Sequence, residues 1–199
     1  MEFTPDHDGV FKSDETGKHF RYCASCGLPL RESKGPSADG DYGIVGEEVA
    51  PYLVAKSYHK GECIFEYALC EGCRMNMAEE LSEESKQFLQ RFFEERMNLA
   101  QRSKRLSRTT DVNAWMETCA TCGKKRDEME SYSIAALFYQ DSLMIDPYPV
   151  CFCSECEEEI QNNLSEETRR VWDDFVETNF DSPPANARDL PVSGRPIFM

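Results

Sequence analysis

Four C-x-x-C pairs constrain this chain more than any other feature. They are Cys23/Cys26, Cys70/Cys73, Cys119/Cys122 and Cys153/Cys156. Each pair turns two sulfurs toward a common point, and two pairs surround one metal ion tetrahedrally. Eight cysteines in this pattern predict two four-sulfur sites. The N-terminus is neither basic nor apolar enough for a secretory signal, so nothing directs the chain to a disulfide-forming compartment, and a cytoplasmic location is the expectation. Zinc is the expected ion. Iron, which all-sulfur tetrahedral sites also accept, is the lesser alternative.

An internal repeat decides which pairs combine. Cys23-Ala-Ser-Cys26-Gly27 matches Cys119-Ala-Thr-Cys122-Gly123 at an offset of 96 residues, and Cys70-Glu-Gly-Cys73 matches Cys153-Ser-Glu-Cys156 at 83. The second register continues from Leu81-Ser82-Glu83-Glu84-Ser85 to Leu164-Ser165-Glu166-Glu167-Thr168. Such self-similarity marks a duplicated structural unit. One site should hold Cys23, Cys26, Cys70 and Cys73. The other should hold Cys119, Cys122, Cys153 and Cys156. Cys63 and Cys151 are left over and read as small buried residues.

Between the knuckles of copy one, Tyr52–Tyr58 and Cys63–Leu69 read as two strands around a turn. In copy two, Tyr132–Tyr139 and Leu143–Val150 repeat the design, whereas Pro29–Gly46 reads as a Gly/Pro loop peculiar to copy one. Beyond each second knuckle the period becomes helical. Phe88, Leu89, Phe92, Phe93 and Met97 share one face, as do Val171, Trp172, Phe175, Val176 and Phe180. Ser82 and Ser165 are placed to cap these helices.

Knuckle, β-hairpin, knuckle and helix together resemble the treble-clef and zinc-ribbon group of four-cysteine zinc proteins, over residues 19–97 and 115–180. The resemblance implies an α+β fold of two tandem zinc-binding repeats and metal-stabilised folding, without fixing one activity. The expected layout is a flexible acidic arm at 1–18, repeat one at 19–100, a basic linker at 101–114, repeat two at 115–180 and an extended Pro-containing tail at 181–199.

Charge selects among partners. The chain carries 37 acidic against 22 basic residues, a net −15, and residues 111–181 alone hold 17 acids and five bases. A nucleic-acid duplex would be repelled by such a surface, so a protein partner is expected rather than nucleic acid, reached through outward acids such as Glu157, Glu158 and Glu159. Arg102, Lys104, Arg105 and Arg108 form the one basic run, read as a solvated linker or a strap on the acidic second copy. No apolar run is long enough to cross a membrane.

No catalytic residue emerges. His7, His19 and His59 belong to no recognised signature, and a four-cysteine site leaves no coordination position for substrate. The expected function is a non-enzymatic, zinc-stabilised protein-interaction module. An acidic nucleic-acid mimic or inhibitor of a basic partner is the first alternative, and a dithiol redox or metal-sensing protein the second.

Overall fold

The computed structural model describes residues 2–6, 9–31, 50–97, 99–106, 109, 111–145 and 147–180. The Pro29–Gly46 loop, apart from its first residues, lies outside the described residues, as do Arg108, His7 and the 181–199 tail. Helices and antiparallel strands are mixed. The strands are β1 (Glu2–Pro5), β2 (Tyr52–His59), β3 (Glu62–Cys70), β4 (Ser131–Tyr139), β5 (Ser142–Ile145) and β6 (Val150–Cys153). The helices are α1 (Glu71–Glu79), α2 (Glu83–Phe92), α3 (Leu99–Leu106), α4 (Val112–Trp115), α5 (Ser154–Asn163) and α6 (Glu166–Asn179), with a π-helical turn at Phe93–Met97.

The β2–β3 hairpin forms as expected, turning through Lys60 and Gly61 at positive φ. In copy two the single return strand expected at Leu143–Val150 is two strands. β5 pairs with residues 137–139 of β4 and β6 with residues 132–135, so they divide one edge of β4.

The two repeats share one sheet, ordered β1-β5-β4-β2-β3, through an eight-residue ladder between β2 and β4. Lys60 and Gln140 hold equivalent turn positions, both at positive φ, which sets an offset of 80 residues between the hairpins. In that register Ala55 is equivalent to Ala135, and these two residues pair with each other. Val54 pairs with Ala136 and Lys56 with Ile134, so the ladder exchanges equivalent positions about an approximate twofold axis.

Helix packing follows the same exchange. In copy two's α6, Trp172 and Phe175 each lie 5.7 Å from Tyr67 of β3 in copy one. Phe93, after α2 of copy one, packs on Phe152 of β6 in copy two at 6.4 Å. Each copy's helix thus covers the other copy's strand, and one buried cluster runs from Tyr52 and Leu69 to Trp172 and Phe175. The sequence boundaries between repeats are not boundaries of the core.

Residues 1–18, expected as a loose arm, are built in where they are described. β1 pairs with β5, Phe11 is fully buried, and the Asp6 carboxylate accepts from the amides of Val10 and Phe11 at 3.1 and 3.0 Å. Phe11, edge-on to Phe138 at 5.8 Å, is a single apolar anchor among polar neighbours, a signal too sparse for periodicity to detect. The basic stretch at 101–106 is helix rather than open linker. Arg102 is buried, donating to the carbonyls of Trp115 and Pro149 at 2.5 and 2.7 Å.

Candidate metal centres

Each first knuckle is a tight turn closed by its own backbone. The Gly27 amide donates to Cys23 O and the Gly123 amide to Cys119 O, at 2.9 and 3.0 Å. Both glycines sit at positive φ, +69° and +75°, where a Cβ would strain the turn. The knuckle is then fastened to a strand. Ala24 N donates to Ala68 O and Ala120 N to Cys151 O, at 2.8 and 2.7 Å. Both acceptors lie two residues before the third cysteine of their cluster. The strand passes directly into a helix at that cysteine, β3 into α1 at Cys70 and β6 into α5 at Cys153. In α1 the Cys70 sulfur also caps the helix, accepting from Cys73 N at 3.5 Å.

The result is two clusters, Cys23/Cys26/Cys70/Cys73 and Cys119/Cys122/Cys153/Cys156, each with its sulfurs within 4.8 Å of one another. Both are positioned to bind metal. Sulfurs ~2.3 Å from a tetrahedral ion lie about 3.8 Å apart along each edge. The Cys26–Cys70 and Cys122–Cys153 Sγ separations are 3.8 and 3.6 Å, so the donor set fits such an ion. Main-chain amides prepare the sulfurs for negative charge: Cys70 N donates to Cys23 Sγ and Cys153 N to Cys119 Sγ, both at 3.4 Å.

Within each cluster some thiols are shifted down and others up. Hydrogen bonds from Cys153, then Cys156, pull Cys119 well below the ordinary thiol range. The same bonds push Cys153 far up and Cys156 up to about 12. Burial opposes ionisation of Cys23, but the amides of Cys26, Cys70 and Ser25 outweigh it and lower that thiol. Burial raises Cys70 and Cys73. The sulfurs whose thiols are raised would give up their protons when a cation binds.

Among the described residues, no histidine joins either cluster. His19 packs edge-on to Phe138, and His59 Nδ1 lies 2.7 Å from Ser131 Oγ. Neither leftover cysteine belongs to either set of four. Cys151 is fully buried and its thiol is pushed up to about 12 by burial.

A third group escaped the sequence reading. Asp14, Cys63 and Glu66 converge within 4.8 Å, but a lysine already supplies the counter-charge. Lys56 is 1% exposed, and its Nζ lies 3.2 Å from Asp14 and 3.4 Å from Glu66 while donating to the carbonyls of Val10 and Lys12. A charged residue in a strand reads as outward-facing, which hid this one. Glu157 misled in the same way. Expected on the acidic outer face, it is 1% exposed and hydrogen-bonded to Ser133. Burial pushes its carboxyl well above the usual range. Glu159 pairs with Arg96 at 2.9 Å, leaving Glu158 as the exposed member of the three.

The two knuckles differ at their rims. Tyr22, Leu28 and Met75 of copy one are 43%, 55% and 44% exposed. Their equivalents in copy two are Thr118, Lys124 and Glu158, and Lys124 closes on Glu155 at 2.6 Å. No protein-family model, curated protein or solved structure matches the chain. Among the described residues, no helix is long and apolar enough to cross a membrane.

Proposed function

We propose that the chain is a non-enzymatic protein-interaction module of two treble-clef-like repeats, each held by a structural zinc ion. The observation carrying this reading is the closed donor set. All four corners of each site are cysteine sulfur, which suits a metal that cross-links knuckle to strand–helix junction and offers no open position to substrate. The interaction half of the reading is supported by the first knuckle, where Tyr22, Leu28 and Met75 remain exposed beside the cluster while copy two is polar at the same places. Exposed aromatic and Met side chains are the residue types that anchor interfaces.

Elemental analysis of freshly isolated protein tests the first half, with two zinc ions per chain expected. One metal or none overturns it, and a red protein with thiolate-to-iron absorption replaces zinc by iron. The second half is tested by Leu28→Asp and Met75→Asp. Both should abolish co-purification of a partner at full metal content, and a partner retained by both variants removes this surface from consideration.

A further inference from the structure

The two cysteine clusters are built alike but closed unequally. Cys23 and Cys119 are both buried, and Cys26 and Cys122 are both exposed. The difference lies in the other knuckle. Cys153 and Cys156 are 1% and 4% exposed, whereas Cys70 and Cys73 are only partly covered. Three of the four cysteines therefore reach solvent in copy one, against one in copy two. We propose that the first cluster is the exchangeable metal site of the pair, open to a competing thiol or chelating ligand, and that its occupancy switches the docking surface beside it. The inference rests on the zinc-module reading above and names the regulation of that same surface.

An incoming donor displaces a cysteine only where it reaches the sulfurs, and the displaced sulfur takes up a proton as it leaves. Cover over the sulfurs thus sets the rate of exchange. Copy two adds a second closure. Lys124 and Glu155 pair at 2.6 Å across the rim, which joins the Cys119/Cys122 knuckle to the start of α5 independently of any ion. The Lys124 ammonium is also near enough to Cys122 and Cys153 to favour negative charge on both sulfurs. Copy one carries Leu28 and Gly72 at the equivalent positions and cannot form this pair.

The docking surface spans the first cluster. Tyr22 and Leu28 flank the Cys23/Cys26 knuckle, while Met75 belongs to α1, which carries Cys73. Knuckle and strand–helix junction share a main-chain bond from Ala24 N to Ala68 O and a bond from Cys70 N to Cys23 Sγ. Ligation by all four sulfurs would add the tie that keeps Tyr22 and Leu28 in fixed relation to Met75. Emptying the cluster removes that tie and with it the surface.

The test follows zinc release from the loaded full chain into the chelator pyridylazoresorcinol, with N-ethylmaleimide present to trap freed sulfurs. Mass spectrometry before the first equivalent has left should find Cys23, Cys26, Cys70 and Cys73 modified about tenfold ahead of Cys119, Cys122, Cys153 and Cys156. Hydrogen exchange over the same interval should show residues 21–30 losing protection before residues 117–126. Leu28→Lys with Gly72→Glu transplants the ion pair, and a Cβ at Gly72 meets no atom within 4 Å. This variant should slow release from the first cluster about threefold, the scale of an exposed ion pair. Lys124→Leu should hasten release from the second, and it carries the test should the double variant melt early. Equal modification of the two sets, earlier modification of copy two, early modification with residues 21–30 still protected, or release rates untouched by both substitutions overturns the proposal. Fewer than two zinc ions in the isolated protein fails the zinc reading itself, at the elemental analysis and before any release is followed.

Discussion

Ser82 Oγ and Ser165 Oγ lie 2.9 Å apart. These are equivalent N-caps from the two copies, of α2 and α6, and each also accepts from the amide three residues on, Ser85 N and Thr168 N. The backbone amides are exchanged: Ser82 N donates to Thr168 Oγ1 and Ser165 N to Ser85 Oγ, both at 3.0 Å. Four hydroxyls close a ring, Ser82 to Ser85 to Ser165 to Thr168 and back to Ser82. Each helix start is therefore satisfied partly by the other copy.

Replacing either serine by alanine removes a cap and breaks the ring. A single N-cap replacement costs ~1 kcal/mol. Ser82→Ala and Ser165→Ala should each cost about that or more. Because they share one network, the double variant should depart from additivity by about 0.5 kcal/mol or more. Denaturant titration of the four proteins measures this, and strict additivity would show the caps to be independent.

Metal loss at one site should be felt by both copies. Structural zinc contributes on the order of 10 kcal/mol to folding, and the β2–β4 ladder with its crossed helices leaves neither copy a core of its own. Cys26→Ser is expected to lower a single calorimetric transition and to reduce hydrogen-exchange protection in β4 as well as β2. Two separated transitions, with β4 still protected, would contradict this coupling.

Metal binding should release protons. Burial holds Cys70 and Cys73 above the ordinary thiol range, and Cys156 stands at about 12 through its bond to Cys119. These sulfurs are protonated near neutral pH without metal and must ionise to coordinate. Affinity should therefore rise with pH through the neutral range and fall on acidification. Calorimetric loading in buffers of different ionisation enthalpy reads the proton count directly, and heats independent of buffer would refute the release.

Lys56→Met should release the N-terminal segment before the rest of the fold. Breaking a buried ion pair costs ~3–5 kcal/mol, reduced here because Asp14 is half exposed. The Val10 and Lys12 carbonyls and both carboxylates lose their shared donor. Limited proteolysis should cut within residues 9–18 while β2 and β4 stay protected. Wild-type resistance in that segment would show that Phe11 alone holds it.

The two spare cysteines should resist alkylation at neutral pH. Burial pushes both thiols up to about 12, and hydrogen bonding with Asp14 adds to the rise at Cys63. The metal-loaded protein should react slowly with iodoacetamide, and chelation should expose the cluster sulfurs. A fast-reacting Cys63 in the loaded protein would favour the dithiol redox or sensing reading.

The cysteine clusters were legible because metal ligation demands fixed residue types at fixed spacing, and Ser82 and Ser165 because capping demands the same locally. The β2–β4 pairing was not. Either edge of β2 accepts a partner equally well as far as its residues show, and the choice is made by helices crossing from one copy to the other. Glu157 was misassigned, and Lys56 went unnoticed, for a related reason: their partners, Ser133 and Asp14, lie 24 and 42 residues away. Arg102 belongs to the same group, since the oxygens that hold it are main-chain and leave no trace in composition.

The twofold exchange at Ala55 and Ala135 is the geometry by which two separate molecules would form a symmetric dimer. Here the halves are joined in one chain, so their association is unimolecular and does not weaken on dilution. Tethering also removes a restriction that symmetry imposes. In a dimer of identical subunits every surface change appears twice, whereas here the first knuckle carries Tyr22, Leu28 and Met75 while the second carries Thr118, Lys124 and Glu158. One scaffold thereby presents two unlike faces.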